Sequence, residues 1–374
     1  MGGGTQFDVA VIGGGLVGGA IAFGLRALGP RLLLLDEGDQ AFRAARGNFG
    51  LVWVQGKGAG LPRYGAWTQR SRREWPRFAA EVFDASGLDV ALSQRGGIHL
   101  CLDPRELEAR AAALAALVDQ PGFERYDYEV LDRNALAKQL PGLGIDVAGG
   151  TWCSLDGHCN PLRLLHGLHL ALHRAGCVLR PQHPVARITP RADRFDVATP
   201  AGTFTAERVV VAAGLGSVKL APMVGLAAPL RPQKGQVIAL ERMRPFLPLP
   251  LSTLRQTDDG TVLIGDSQEE GGLDETVALP VLAAMAARAV RAFPALRAAH
   301  VNRTWAALRV MSPDGFPIYA QSAAHPGAFL AACHSGVTLA AVHAEVLAPA
   351  IAAGSLPPSL APFSPRRFDV PQAA

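Results

Sequence analysis

The stretch Phe7–Gly38, FDVAVIGGGLVGGAIAFGLRALGPRLLLLDEG, decides the fold. Phe7 to Ile12 is a short apolar run of strand character. Leu16 to Leu28 reads as a packed helix, and Arg31 to Leu35 is a second apolar strand ending at Asp36. Strand, helix and strand within about 30 residues make a βαβ unit. At its first turn stands Gly13-Gly14-Gly15-Leu16-Val17-Gly18, a G-x-G-x-x-G. Gly13 suits the tight turn, Gly15 lets a pyrophosphate approach the main chain, and Gly18 lets the helix close on the strand. The helix start offers N–H groups and a partial positive charge to phosphates. Asp36 stands where an acid accepts hydrogen bonds from ribose hydroxyls, and its charge would repel the 2′-phosphate of NADP. A lone G-x-G-x-x-G also occurs as an ordinary glycine-rich turn, but here strand, helix, second strand and acid agree. Ala22 and Gly29 are further small positions expected at helix–sheet contacts.

Working outward, the 374 residues suit two domains rather than one core. Hydrophobic residues are 49% and charged residues 18%, which suits a globular protein with a large interior. A net charge of +4 without a dense Lys/Arg block argues against nucleic acid. The five cysteines are scattered, with no C-x-x-C pair or zinc-ligand spacing, as in a reducing compartment. The start lacks a cationic leader, and Gln6 breaks the myristoylation pattern. No apolar run reaches the roughly 18 residues a membrane span needs. A cytoplasmic chain is expected.

Further along, Asp103, Pro104 and Glu106 mark the start of one helix. NPLRLLHGLHLALHRAG is a second helix, stopped at Gly176. Residues 185–212 alternate like strands of a small antiparallel sheet and end in a buried run, Val209 to Ala212. KGQVIALE and DDGTVLIGD are strands, and LPVLAAMAARAVRAFPAL is a helix. A strand near Ala328–Ala332 precedes a last helix from about Gly336 to Ala353. An N-terminal fingerprint followed much later by VVVAAGLGS fits an FAD-binding two-domain flavoprotein. In a simple nicotinamide enzyme the βαβ repeat would continue directly. Arg309 lies in the mostly apolar RTWAALRVMSPDG. A guanidinium taken out of water unpaired costs several kcal/mol, so it lies at the surface or meets an anion.

VIGGGLVGGAIAFGL, LLDEG, RGNFGL, RVVVAAGLGS, RPQKGQVIALE, GTVLIGD, RTWAALRVMSPDGFPI and AACHSGVTLA occur in this order. With them the chain resembles, over nearly its whole length, the D-amino-acid-oxidase-like FAD-dependent oxidoreductases. These include glycine and sarcosine oxidases, the hydrogen cyanide synthase flavoprotein subunit, and β subunits of proline and D-hydroxyproline dehydrogenases. The resemblance implies a mixed α/β fold. A Rossmann-like FAD-binding domain would comprise residues 1–85, 150–225 and 305–374, and an antiparallel-sheet substrate domain residues 86–149 and 226–304.

It also implies FAD bound non-covalently, since Ala307 stands near the cysteine that carries flavin in monomeric sarcosine oxidase. Gly13, Gly15, Leu16, Val17, Gly18, Asp36 and Glu37 would hold the cofactor, with a wrapping loop of Arg46, Gly47, Asn48, Gly50 and Leu51. Val185 would hold adenine through its backbone, and Ala213 and Gly214 would follow. Gly336, Val337 and Thr338, at the start of the last helix, would turn N–H groups to the flavin's pyrimidine edge. Arg309 matches the arginine that binds the substrate carboxylate, a task its planar fork suits. A surface or acid-paired arginine is the plainer alternative. His334 would lie near the ring, although a lone histidine is more often simply packed. Trp53, Gln55 and Lys57, read as alternate residues of a strand, share one face and are candidates for the substrate side. An exposed strand face explains them equally well.

The implied reaction is oxidation of a carbon–nitrogen bond in a small amino or imino acid, with hydride passing to flavin N5. The similarity is nearest to D-hydroxyproline dehydrogenase β subunits, which suggests D-hydroxyproline or D-proline as substrate. Partner subunits carrying a second flavin or an iron–sulfur centre are then expected, because this chain has no cluster motif. TVLIGD is apolar near Leu263, where an oxygen-activating lysine would stand, and this favours a dehydrogenase. LPLSTLRQTDDG has no tyrosine of the glycine-holding kind. The alternatives are a stand-alone oxidase that makes peroxide and a non-catalytic flavin-binding scaffold, and Arg309 argues against the second. No hydrolase motif, G-x-S-x-G or H-E-x-x-H, occurs.

Overall fold

The computed structural model describes residues 6–38, 44–265 and 267–369. The βαβ unit forms as expected: β1 (Gln6–Ile12), α1 (Leu16–Arg26) and β2 (Leu32–Leu35). A short β3 (Leu51–Val52) and the long α2 (Pro62–Ser86) follow. Then come β4 (Gly97–Cys101), α3 (Pro104–Val118), β5 (Glu129–Asp132), α4 (Arg133–Gln139) and β6 (Gly149–Cys153). The chain returns through β7 (Gly157–His158), α5 (Pro161–Arg174), β8 (Val178–Arg180), β9 (Arg187–Pro190), β10 (Phe195–Thr199) and β11 (Gly202–Val211). β12 (Arg231–Arg242), β13 (Leu254–Gln256), β14 (Thr261–Ile264) and a helix over Leu279–Ala292 lead to β15 (Val301–Met311). β16 (Ile318–Gln321) and β17 (Ala328–Ala332) close the strand inventory.

The main sheet runs β16-β17-β11-β1-β2-β8, with β10 and β9 added beside β11. β1 pairs in parallel with both β2 and β11, so Ile12, Leu35 and Val211 end level with one another. In doubly wound sheets ligands bind at these carboxyl ends. The alternating 185–212 segment is therefore an antiparallel extension of the parallel sheet, not a separate sheet.

β13-β14-β12-β15 form a four-stranded antiparallel sheet and β4-β6-β5 a three-stranded one. Both share one apolar core, in which Ile98, Leu100 and Leu131 meet Ile238, Leu254 and Phe293. Two strands cross the expected domain boundaries. β6, expected with the cofactor half from residue 150, pairs with β4 and β5. β15, divided at residue 305 by the expectation, pairs with β12 along nearly its whole length.

α2 was not marked in the sequence, where Pro76 and a run of arginines obscure its apolar face; Trp67, Trp75, Phe78 and Val82 are nevertheless buried. The last helix also differs from expectation. Residues 336–339 form a turn, and helix begins at Ala340. It continues as a π segment, His343–Leu347, before Pro349, which cannot donate a helical N–H. Ala22 is buried as expected, whereas Gly29 touches nothing and serves a left-handed turn at φ +86°.

α1 packs so closely on this last helix that a β carbon at Gly24 would strike the Ala344 carbonyl and lie 2.7 Å from the Ala348 Cβ. Alanine exceeds glycine in helix propensity by only about 1 kcal/mol, while overpacking costs about 1–3 kcal/mol. Gly24→Ala is therefore expected to lower the urea midpoint rather than raise it.

Candidate active site

A cavity of about 1010 Å³ opens along the carboxyl ends of β1, β2 and β11. Its walls include Gly13, Gly15, Leu16 and Val17 from the first turn, and Asp36 and Glu37 after β2. Asn48, Val185, Ala213 and Gly214 line it farther along, and His334 and Gly336 close it. Twelve residues expected to hold cofactor or substrate thus meet in one space.

Each glycine of the fingerprint has its own constraint. Gly13 adopts φ +107°, and a β carbon there would strike the main chain of Ala212. At Gly18 a β carbon would collide with the Gly13 carbonyl oxygen, so this residue lets helix and turn touch and does not line the cavity. At Gly15 a β carbon would meet only Ala45, at 3.6 Å. Protein packing does not demand glycine there; room on the cavity side does. α1 has no side-chain cap, which leaves its first N–H groups to a ligand. Asp36 accepts from the N–H of Gly14 at 2.6 Å and of Gly38 at 2.9 Å, so it also braces the turn. His169 on α5 adds a bond to the Gly14 carbonyl at 2.7 Å. At the far end the N–H groups of Gly336, Val337 and Thr338 find no acceptor among the described residues. They come from a turn rather than from the helix start expected there, with the same polarity of display.

Of the loop expected to wrap the flavin, Asn48 lines the cavity and Gly47, Gly50 and Leu51 do not. Gly50, at φ +92°, packs on the Cys159 carbonyl, and Gly47 accepts from the Trp305 indole at 3.2 Å. The Asn48 side chain accepts from Gly50 at 2.7 Å, while Arg46 lies outside the cavity wall. Buried Arg255, which sequence reasoning missed, donates to the Phe49 carbonyl and reaches His158 Nδ1 at 3.3 Å. Burial lowers Arg255 to about 10, and burial with the nearby Arg255 charge lowers His158 to about 3, leaving the imidazole neutral. Leu51 and Thr338 are joined through the threonine hydroxyl, which accepts from Trp53 N–H at 3.2 Å and donates to the Leu51 carbonyl at 3.2 Å.

Trp53, Gln55 and Lys57 do not share a strand face, because β3 ends at Val52 and residues 55–60 form tight turns. Trp53 packs against Gly97. Gln55 is buried and accepts from Arg110 and Thr151, each at 2.8 Å, while donating to Asp156 at 2.6 Å. Asp156 also accepts from Val54 N–H at 2.6 Å and Gln55 N–H at 3.1 Å. Lys57 does not line the cavity, but its Nζ lies 3.4 Å from Nε2 of His334, which does, and 3.2 Å from Ser335 Oγ. Tyr64 meets the same hydroxyl at 2.9 Å.

Arg309, on β15, donates to the Ser267 carbonyl at 2.8 Å and the Lys234 carbonyl at 3.3 Å. Gly235 makes its seat, since a β carbon there would stand 2.6–2.7 Å from the guanidinium. His334 is held neutral: burial first, then the charges of Lys57 and Arg309, push it down to about 3. Both cations therefore act on one imidazole at the cavity wall. Lys234 is different. It is buried and paired with Asp274 at 2.7 Å and Glu269 at 3.7 Å, and it fastens the segment that brings Leu273 and Glu275 to the cavity rim.

Parallel strand ends, a glycine-lined first turn and a long cavity with undirected N–H groups define a dinucleotide-binding protein. Comparison with known proteins gives the class. The family model described as "DAO: FAD dependent oxidoreductase" matches residues 8–350, and the chain belongs to this family. A subunit of the opine oxidase of Agrobacterium tumefaciens (strain Ach5) is 45% identical over 98% of this chain and 99% of its own length. Hydrogen cyanide synthase subunit HcnC of Pseudomonas aeruginosa is 26% identical, covering 83% of this chain and 84% of its own. The crystal structure of glycine oxidase from Geobacillus kaustophilus superposes with a TM-score of 0.87 at 24% identity, covering 96% of this chain and 98% of that one. The cofactor is FAD, and the cavity's shape, its glycines and its unclaimed N–H groups fit it.

Gly18→Ala is expected to lower the FAD content of the purified chain at least about tenfold, read from the flavin band after denaturation, because the first turn cannot close. Buried Asp156 gives a second expectation, since burial raises it to about 7. An aspartate in an unfolded chain titrates near 4. The folded form therefore retains a proton between about pH 4 and 7 that the unfolded form releases, so this group's stabilisation is lost as pH rises through that window. Asp156→Asn should flatten that part of the stability–pH curve in urea titrations.

Proposed function

We propose that this chain oxidises the carbon–nitrogen bond of a small amino or imino acid and is the flavin-bearing subunit of a multi-subunit dehydrogenase. The observation that carries the reading is Arg309, seated against Gly235 by main-chain carbonyls while its charge acts on His334 at the cavity wall. A guanidinium in a fixed orientation pairs bidentately with a carboxylate and positions the rest of the substrate. FAD, when bound, supplies the hydride acceptor at N5. The chain's own groups bind and orient. Arg309 takes the carboxylate, and the N–H groups of Gly336, Val337 and Thr338 offer partial positive charge. Neutral His334 can accept a hydrogen bond, and no charged general base is needed if the amine binds unprotonated. The product imine then hydrolyses, or persists as a pyrroline if the amine was cyclic.

D-Hydroxyproline and D-proline remain the first substrates to test. The 45% identical relative is named as an opine oxidase subunit, so opines belong beside them. Two relatives named as subunits, of opine oxidase and hydrogen cyanide synthase, support the heteromeric reading. Electrons would then leave through a partner with a second flavin or an iron–sulfur centre. A stand-alone oxidase is separated from this by oxygen uptake of the isolated chain.

Anaerobic addition of substrate should bleach the flavin band of the wild-type chain. Arg309→Met should keep the band but raise the half-saturating concentration about 100-fold, the loss of about 3 kcal/mol of charge-assisted hydrogen bonding. Unchanged bleaching in this variant would remove Arg309 from the site.

A further inference from the structure

We propose that the outer face of the helix Leu279–Ala292 seats a second copy of this chain, the two helices packing antiparallel about a two-fold axis at Ala283–Ala284. The inference is independent of the substrate and of any electron-accepting partner.

The argument begins with the composition of this helix. LPVLAAMAARAVRA carries two charges and no other polar side chain. A helix that is apolar all round is normally covered all round. One side is covered: Leu282, Ala289 and Ala292 are buried in the core beneath the antiparallel sheets. The opposite side is not, for Leu279 is 77% exposed and Ala283, Ala284 and Ala287 face solvent. Both arginines are engaged by acids of their own chain, Arg288 by Glu106 at 2.8 and 2.9 Å and Arg291 by Asp146 at 2.8 Å. Beside the helix opens a groove of about 370 Å³, lined by Ala287, Val290, Leu296 and Val301. Val301 at its edge is 58% exposed. A protruding leucine, flat alanines and an apolar groove make a surface of the kind that marks an interaction site.

These features are arranged to fit a copy of themselves. Leu279, Ala283, Ala287 and Val290 stand at i, i+4, i+8 and i+11, on one stripe of the helix. Leu279 and Ala287 lie four residues, about 6 Å, on either side of Ala283. When a second helix runs antiparallel across Ala283–Ala284, Leu279 of each copy comes over Ala287 of the other, at the mouth of the groove. A two-fold contact requires this reciprocity, in which i meets j and j meets i. Alanines at the crossing let the two helices approach closely. Charge follows the same symmetry. Glu275, at the cavity rim, precedes the helix and Arg297, at the groove, follows it, and neither has a partner among the described residues. Antiparallel packing sets the Glu275 end of one copy beside the Arg297 end of the other, whereas parallel packing would set like beside like. Rim charges of this kind fix orientation more than affinity. A different protein would have to supply leucine, groove, cation and anion in matching order; a second copy carries all four.

Sedimentation velocity of the FAD-loaded chain over a concentration series measures the association. Wild type should form a dimer, and Ala283→Glu should raise its dissociation constant at least about 100-fold, because two carboxylates then meet at the axis. FAD content and the urea midpoint should not change in this variant, since position 283 is exposed and glutamate suits a helix. Cross-linking reads the register. A chain carrying both Leu279→Cys and Ala287→Cys should give a covalent dimer with oxidised glutathione, and neither single variant should, since a disulfide joins α carbons no more than about 7 Å apart. A wild-type chain that stays monomeric overturns the proposal, whether or not another subunit covers the face. So does a dimer that Ala283→Glu leaves intact, or one in which the paired cysteine substitutions fail to cross-link.

Discussion

The site depends on a contact between backbones. α1 begins flush against the end of β1 because Gly18 brings the helix onto the Gly13 carbonyl and Gly13 turns past Ala212. With no side chains in the way, the helix start, the end of β2 and the end of β11 converge within one turn of chain. Parallel pairing on both sides of β1 then sets the rest: Asp36 follows β2, and Ala213 and Gly214 follow β11. The cavity is the space left between three strand ends and one helix start, and its chemistry is mainly that of unclaimed N–H groups.

Charge in the site is arranged by separating cations that are neutralised from cations that are only oriented. Lys234 meets acids and holds its segment in place. Arg255 meets a carbonyl and a neutral imidazole and fixes the wrapping loop. Lys57 is steered by neutral groups around a histidine kept uncharged beside it. Protonation of His334 would place a third positive charge among two others in a poorly solvated position, which is why its pKa falls so far. A neutral imidazole there stays compatible with a bound amine.

What could be read in the sequence was local. The fingerprint and Asp36 were legible because a tight turn, a close helix approach and a strand-end acid impose residue types within about 30 positions. Arg309 stood out because a guanidinium inside a mostly apolar strand needs a partner or a route to solvent. The parts that could not be read depend on distant partners. Asp156 holds Val54 across 102 residues, and Arg255 holds Phe49 across 206. Neither residue type nor spacing announces such a pair. Trp53, Gln55 and Lys57 were grouped by strand alternation, yet β3 stops at Val52 and the glycine turns send the three side chains to different surroundings. The start of the last helix was set four residues early because apolar periodicity continues through a turn, whose N–H groups at Gly336, Val337 and Thr338 find no acceptor among the described residues.

The segment from Leu51 to Gly60 connects these observations. Thr338 ties its start to the turn at the cavity's far end, and Asp156 ties its middle to the neighbourhood of β6. Tyr126 and Gln120, from the region after α3, tie its end. Elements from both halves of the molecule therefore hold one short irregular stretch, and that stretch carries Lys57 to His334. Irregular backbone held this way costs conformational entropy and exposes polar groups that must each be satisfied. The density of satisfied hydrogen bonds around it is what allows a loop, rather than a strand or helix, to fix the position of a charge beside His334.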